Sequence, residues 1–374
     1  MQEQFDRENT ENLLPSDAQL ATEAALAEKE RQARAKKKLR FAASRVGWAT
    51  ALLVGAWMAA LVGVSALAAV AGFFGIDGMD IYNKYLLIIN EVTLALGIAV
   101  ALIVLLPVPR VILHKNKISS GGFLKILAMC FGAGYVGNLI GTAWLTLWNL
   151  ASGNSVGNEL VTLLDGMNPF IMFISVGVLA PILEELFFRK LLIDRLRVFG
   201  ETTAILITAI LFALFHMSAS QLVYAFTIGV LLGYFYCRTG NYPLTVLIHA
   251  IFNTVSGVIP MLFLPKITAF SEEMALLETS IPMDASLEEM AEMMMPLVTE
   301  YGLVLGLYAL YALALFAINI TGVILLIVNI KKFRARKGEF SLNAEDSVKS
   351  VFETSGMFVC VLLLTVLTVF SLFS

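Results

Sequence analysis

The chain predicts an all-α fold, a polytopic transmembrane helical bundle of about 8–9 spans with a cytoplasmic amino terminus. Three observations lead there. Of 374 residues, 58% are hydrophobic and 15% charged, whereas soluble domains are about a quarter charged. The apolar residues gather into nine runs, near 46–74, 85–107, 123–148, 169–193, 203–217, 220–237, 243–264, 301–329 and 355–373. Most of these reach the ~20 residues that cross a bilayer as a helix. The basic residues, finally, alternate between connecting segments in the manner that orients spans.

Composition also excludes several functions. Two or more soluble domains do not fit a mean hydropathy of +0.81. A net charge of −3 gives no reason to expect a nucleic-acid partner. Cys130, Cys237 and Cys360 lie far apart in apolar segments, so neither a disulfide framework nor a CxxC metal site follows. The first forty residues are polar and charged, so no cleavable signal peptide is expected there.

Residues 1–45 read as a polar, basic cytoplasmic arm, helical from about Asp17, with Ser16 and Gln19 spaced like a capping box. Its end, Ala35–Arg45, is basic and suits a topology-fixing flank. Residues 46–150 hold the N-terminal transmembrane helices, and 169–264 a helical core whose fifth and sixth runs are short enough to form a tight hairpin. Residues 265–300 form an acidic external segment with a Met-rich run at Met290–Met295, expected as an amphipathic helix on the outer leaflet. Residues 301–374 are the C-terminal transmembrane helices. With the amino terminus inside, Lys115–Lys117, Arg189–Arg197, Arg238 and Lys331–Lys337 fall in the cytoplasm, leaving Lys84 and Lys266 outside.

Within the core, Glu184, Glu185 and Arg189 interrupt a stretch otherwise apolar enough to span. Each ionisable group near the bilayer centre costs about 2.5–3.5 kcal/mol on insertion scales. Such groups are kept where they pair, meet water or perform chemistry. Of three histidines, His216 and His249 also fall in predicted spans, while His114 lies in a basic loop. Glu185 and Arg189, Phe212 and His216, and His249 and Asn253 each stand four residues apart, on one helical face. Polar stripes in lipid face the bundle interior, so the three are expected to meet in one cavity.

These motifs, EExxxR, FxxxH and HxxxN in this order, resemble the signature of the CAAX protease and bacteriocin-processing (CPBP, or Abi) intramembrane proteases. The resemblance covers roughly residues 169–260. It implies an intramembrane endopeptidase that hydrolyses a peptide bond of a membrane-associated, prenylated or leader peptide, in a multi-pass protein of a bacterial plasma membrane. The chemistry can be argued from the residues as well. Two adjacent carboxylates in a poorly solvated site cannot both ionise cheaply. Arg189, one turn on, is placed to hold Glu185 ionised and oriented. Glu184, with His216, is then left to activate water and return the proton to the leaving amine. His249 and Asn253 supply donors to the oxyanion, each worth about 2.7–4 kcal/mol in other hydrolases.

The cofactor stays open. Glu184, His216 and His249 would suit a divalent metal such as zinc, but no HExxH is present and the residues equally suit a metal-free site. At 1.5 Å per residue, His249 is expected about 9 Å, Glu184 about 14 Å and His216 about 20 Å from the cytoplasmic ends, so convergence requires tilted or offset helices. Two rival functions stand beside this one: a non-catalytic scaffold, immunity or regulatory protein of the same fold, and a proton-coupled transporter.

Overall fold

A computed structural model describes residues 17–153, 156–157, 164, 166–282 and 284–373. No strand occurs among them. Apolar segments that enter lipid must satisfy their backbone internally, and helices do so. In chain order the helices are α1 (Asp17–Ala71), α2 (Gly78–Leu105), α3 (Ser120–Ser152), α4 (Pro169–Phe199), α5 (Glu201–Phe215) and α6 (Leu222–Thr239). They continue with α7 (Tyr242–Ser280), α8 (Leu287–Asn329), α9 (Ala344–Phe352) and α10 (Ser355–Phe370).

Seven of these are long and apolar enough to span, and α9 with α10, bent by 79°, make an eighth. The fifth expected span is the exception. Helix α5 has only 15 residues, because the chain leaves the helix at His216 and Met217 takes a left-handed φ of 48°. The connector His216–Gln221 then turns into α6, giving the expected hairpin. The arm is helical as expected: α1 runs unbroken for 55 residues, although Ser16 of its anticipated cap lies outside the described residues. Residues 265–300 form the tip of a helical hairpin. Helix α7 continues to Ser280, and a Ser286–Glu289 capping box opens α8.

Helix α4 and the first half of α7 pack together, with α2, α3, α5 and α6 around them; α1 joins α2 to α10, and α8 packs on α3. Close crossings rest on glycine, as in other membrane bundles. A Cβ at Gly322 would strike the Ala128 carbonyl where α8 crosses α3, and one at Gly356 would strike that of Ser44 where α10 crosses α1.

The basic segments meet at one end of the bundle. Buried Glu201 takes Arg197 at 3.1 Å, Arg238 at 2.8 Å and the Arg336 backbone N–H at 2.8 Å. The Val111 N–H donates to the Asp194 carbonyl and Asn116 N–H to that of Thr239, both at 2.7 Å. Lys36 and Arg40 of α1 pair with Asp346 and Glu353 at 2.7 and 3.0 Å. The loops expected to share one side of the membrane thus share one end.

The Lys36 ammonium holds the Asp346 carboxyl below its usual range. A depressed carboxyl contributes stability above its ordinary pKa and loses it as pH falls through the depressed value. Hydrogen exchange across 344–353 should therefore rise at neutral pH in Asp346→Asn, and in the wild type on acidification below the aspartate range. Exchange indifferent to both changes would rule out a clamp between α1 and α9.

Candidate active site

Helix α4 is not a regular α-helix, and its irregularities frame the first motif. Asn168 caps it by accepting from the Phe170 and Ile171 N–H groups. Wide i→i+5 turns follow at Phe173–Leu179 and again at Leu186–Ile193, with Glu184 and Glu185 on the α-helical turn between them. Pro181 explains the first, since proline removes a backbone donor and its ring crowds the carbonyl four residues back. A third wide turn, Thr254–Val258, directly follows Asn253 and precedes Pro260. Such turns are rare and recur at functional sites.

Between these turns the charged side chains meet. Glu185 Oε2 accepts from Arg189 Nε at 3.0 Å, and its Oε1 lies 3.2 Å from His249 Nδ1. Glu185 and Arg189 are fully buried and His249 is 3% exposed. On the other edge of the His249 ring, Nε2 lies 3.7 Å from Glu184 Oε2, a buried oxygen with no hydrogen-bond partner among the described residues. His249 therefore bridges the two glutamates.

Phe212 joins the second motif to this cluster. Its ring centroid lies 4.9 Å from that of His216, 5.8 Å from His249, 5.1 Å from Phe188 and 5.2 Å from the Arg189 guanidinium carbon. His216 Nδ1 donates to the Phe212 carbonyl at 2.8 Å, which in a neutral ring leaves Nε2 as an acceptor. No hydrogen bond or ion pair among the described residues joins His216 to either glutamate. Asn253 Nδ2 donates to the Val176 carbonyl at 3.2 Å, tying α7 to the first wide turn of α4. The expected depth mismatch is met in two ways: His249 reaches the glutamates directly, and the Phe212 ring spans the remainder to His216.

Several neighbours escape the motif spacing. Buried Thr245 stands beside Glu185, and its place four residues before His249 was a usable signal. Tyr224, whose hydroxyl donates to Gln221 at 2.8 Å, faces the His216 ring at 6.5 Å. The connector between α5 and α6 hides that proximity from any periodicity. As for a metal, Glu184 and His249 Nε2 are close enough to share an ion. However, no group of three His, Cys, Asp or Glu among the described residues could hold one. His216 stands outside the pair, so a site with three protein ligands is not assembled by this geometry.

Residues 166–255, which hold all three motifs, match the family model described as Type II CAAX prenyl endopeptidase Rce1-like. Over this segment the chain is similar to the CAAX-processing proteases. No curated protein and no solved structure matches the chain. Its long apolar helices, together with this likeness, support an integral membrane protein.

Removing one partner of a buried ion pair leaves the other uncompensated, at about 3–5 kcal/mol. Arg189→Gln should accordingly lower the thermal unfolding midpoint in detergent well below that of the wild type. Glu184→Gln, which removes no ion-pair partner of Glu185, should leave the midpoint nearly unchanged. Equal midpoints for wild type and Arg189→Gln would contradict the assigned pairing.

Proposed function

We propose that the chain is an intramembrane endopeptidase that cleaves a membrane-associated peptide, prenylated or leader, with a water activated by Glu184. The observation that supports this is His249 lying between a fully paired carboxylate, Glu185, and a carboxylate with an unpartnered oxygen, Glu184. Glu185 is engaged on both oxygens, by Arg189 and His249, so it orients rather than reacts. Glu184 keeps lone pairs for water. It takes the proton as hydroxide adds to the scissile carbonyl and returns it to the departing amine. His216, with Nδ1 committed to the Phe212 carbonyl, offers Nε2 as an acceptor for the same water.

His249 and Asn253 stabilise the oxyanion. With Nδ1–H held on Glu185, a doubly protonated His249 ring presents Nε2–H to the developing charge. Asn253 gives one N–H to Val176 and has a second to offer. These steps need no metal, and none is routed through one.

Glu184→Gln in the purified, lipid-reconstituted protein should lower cleavage of a farnesylated CAAX peptide by about 10²–10⁴-fold without changing its unfolding midpoint. Retained turnover would refute the role. Stripping divalent ions with a chelator should leave wild-type turnover intact, and loss reversed by added zinc would replace this mechanism with a metal-dependent one. Should the chain be a scaffold instead, the peptide termini of membranes bearing wild type and Glu184→Ala would be identical.

A further inference from the structure

At the basic end of the bundle, segment 333–343, between α8 and α9, crosses the junction of α4 and α5. The Glu201 N–H donates to the Arg336 carbonyl and the Phe340 N–H to that of Val198, both at 3.0 Å. Gly338 lies so close to the junction that a Cβ there would strike the Val198 carbonyl. With the backbone held in this way, the side chains of Arg336, Lys337 and Glu339 stand exposed. Together with Val111, Arg197 and Glu201 they border a cleft of about 260 Å³.

Charge in this cleft is unbalanced. Glu201 is already satisfied by Arg197, Arg238 and the Arg336 N–H. Arg197 Nε and Arg238 Nε are buried with no hydrogen-bond partner among the described residues. The Arg336 guanidinium and the Lys337 ammonium make no ion pair or hydrogen bond among those residues either. Four cations thus meet two carboxylates, Glu201 and Glu339. Buried donors without acceptors are costly, so the cleft suits an anion that offers several oxygens.

The level of the cleft in the bundle identifies the source of that anion. Ile327, Val328 and Ile330, on and just after the last turn of α8, are exposed and apolar. Lys331 and Lys332 follow directly. The lipid-facing surface ends there, so segment 333–343 lies at the level of the headgroups. Helix α9, next in the chain, is bent 79° from α10 and so runs along that level. We propose that the cleft binds the phosphate of an anionic phospholipid. Arg336 and Lys337 supply exposed donors, and Arg197 adds its free Nε–H from the wall. Basic clefts between transmembrane helices recognise such headgroups, and the arginine fork meets two phosphate oxygens together. Glu339 opposes the bound charge and limits affinity.

The test takes the full chain in a neutral detergent and follows bound lipid by native mass spectrometry. The wild type should hold one phosphatidylglycerol more tightly than phosphatidylcholine, whose phosphate already carries a cation. Arg336→Gln combined with Lys337→Gln should weaken that first binding step by about tenfold, the scale of two basic side chains beside a headgroup. Glu339→Gln should strengthen it. Equal affinity in the wild type and the double variant would overturn the proposal. So would weaker binding by Glu339→Gln, which would point to a headgroup bearing an ammonium. Inorganic phosphate and glycerol phosphate separate lipid from a soluble source: displacement of phosphatidylglycerol by either at equal concentration would overturn the lipid assignment. Phosphatidylglycerol should also raise the unfolding midpoint of the wild type and leave that of the double variant unchanged. Where the double variant fails to assemble, Glu339→Gln and the two lipids on the wild type decide the matter. Peptidase activity enters none of these readouts, so they stand apart from the reading of Glu184.

Discussion

A carboxylate fully removed from water is the constraint around which the bundle is arranged. Glu185 has no exposure and no solvent to spread its charge. An ion in that position is tolerated only with close, well-directed partners. Arg189 comes from the same helix and His249 from α7, and each takes one oxygen. The position of α7 against α4 follows from this demand, because His249 must arrive beside Glu185. Glu184 is then presented on the other side of the same imidazole. The arginine in turn lies over Phe212, whose ring faces both histidines. The phenylalanine of the FxxxH motif is therefore a hub that touches a residue of each of the other two motifs.

Much of this was legible in the chain. Four-residue spacing identified the inward stripes, and the cost of charges in lipid argued that they converge. Glu184, Glu185, Arg189 and His249 do so directly. The rest was hidden for identifiable reasons. Periodicity assumes regular α-helix, and the wide turns on either side of Glu184 and after Asn253 depart from it. Hydropathy marks an apolar run, not where the backbone leaves the helix, so the fifth run, 203–217, extends two residues past the end of α5 at Phe215. The acidic segment 265–300, expected as an amphipathic helix of its own, is instead built from the end of α7 and the start of α8. Buried Tyr236 donates to Asp194 at 2.8 Å, a pairing between helices that local spacing does not announce.

The charged end of the bundle complements the site. Glu201 gathers Arg197, Arg238 and the backbone of Arg336 from three parts of the chain. This fixes the start of α5 relative to the end of α4 and of α6. Glu185 and Phe212 belong to the two helices that meet at this junction. An anchoring network at one end and an ion-paired cluster within the bundle hold the same helices at two levels, which suits a site whose geometry tolerates little slack.

Unequal helix length has a consequence for the surrounding lipid. Helix α10 has 16 residues and α5 has 15, or about 24 and 22 Å of rise, against roughly 30 Å of hydrocarbon. Both stop at a shared level, where the Ala219 N–H donates to Ser371 Oγ just past the end of α10. The outward face of α10 is apolar and exposed at Phe358, Leu362, Val366 and Phe370. Acyl chains along that flank must shorten or tilt to match it, since hydrophobic mismatch is relieved by local thinning. Lipid along that flank thus meets a helix shorter than the hydrocarbon layer, beside the turn that carries His216.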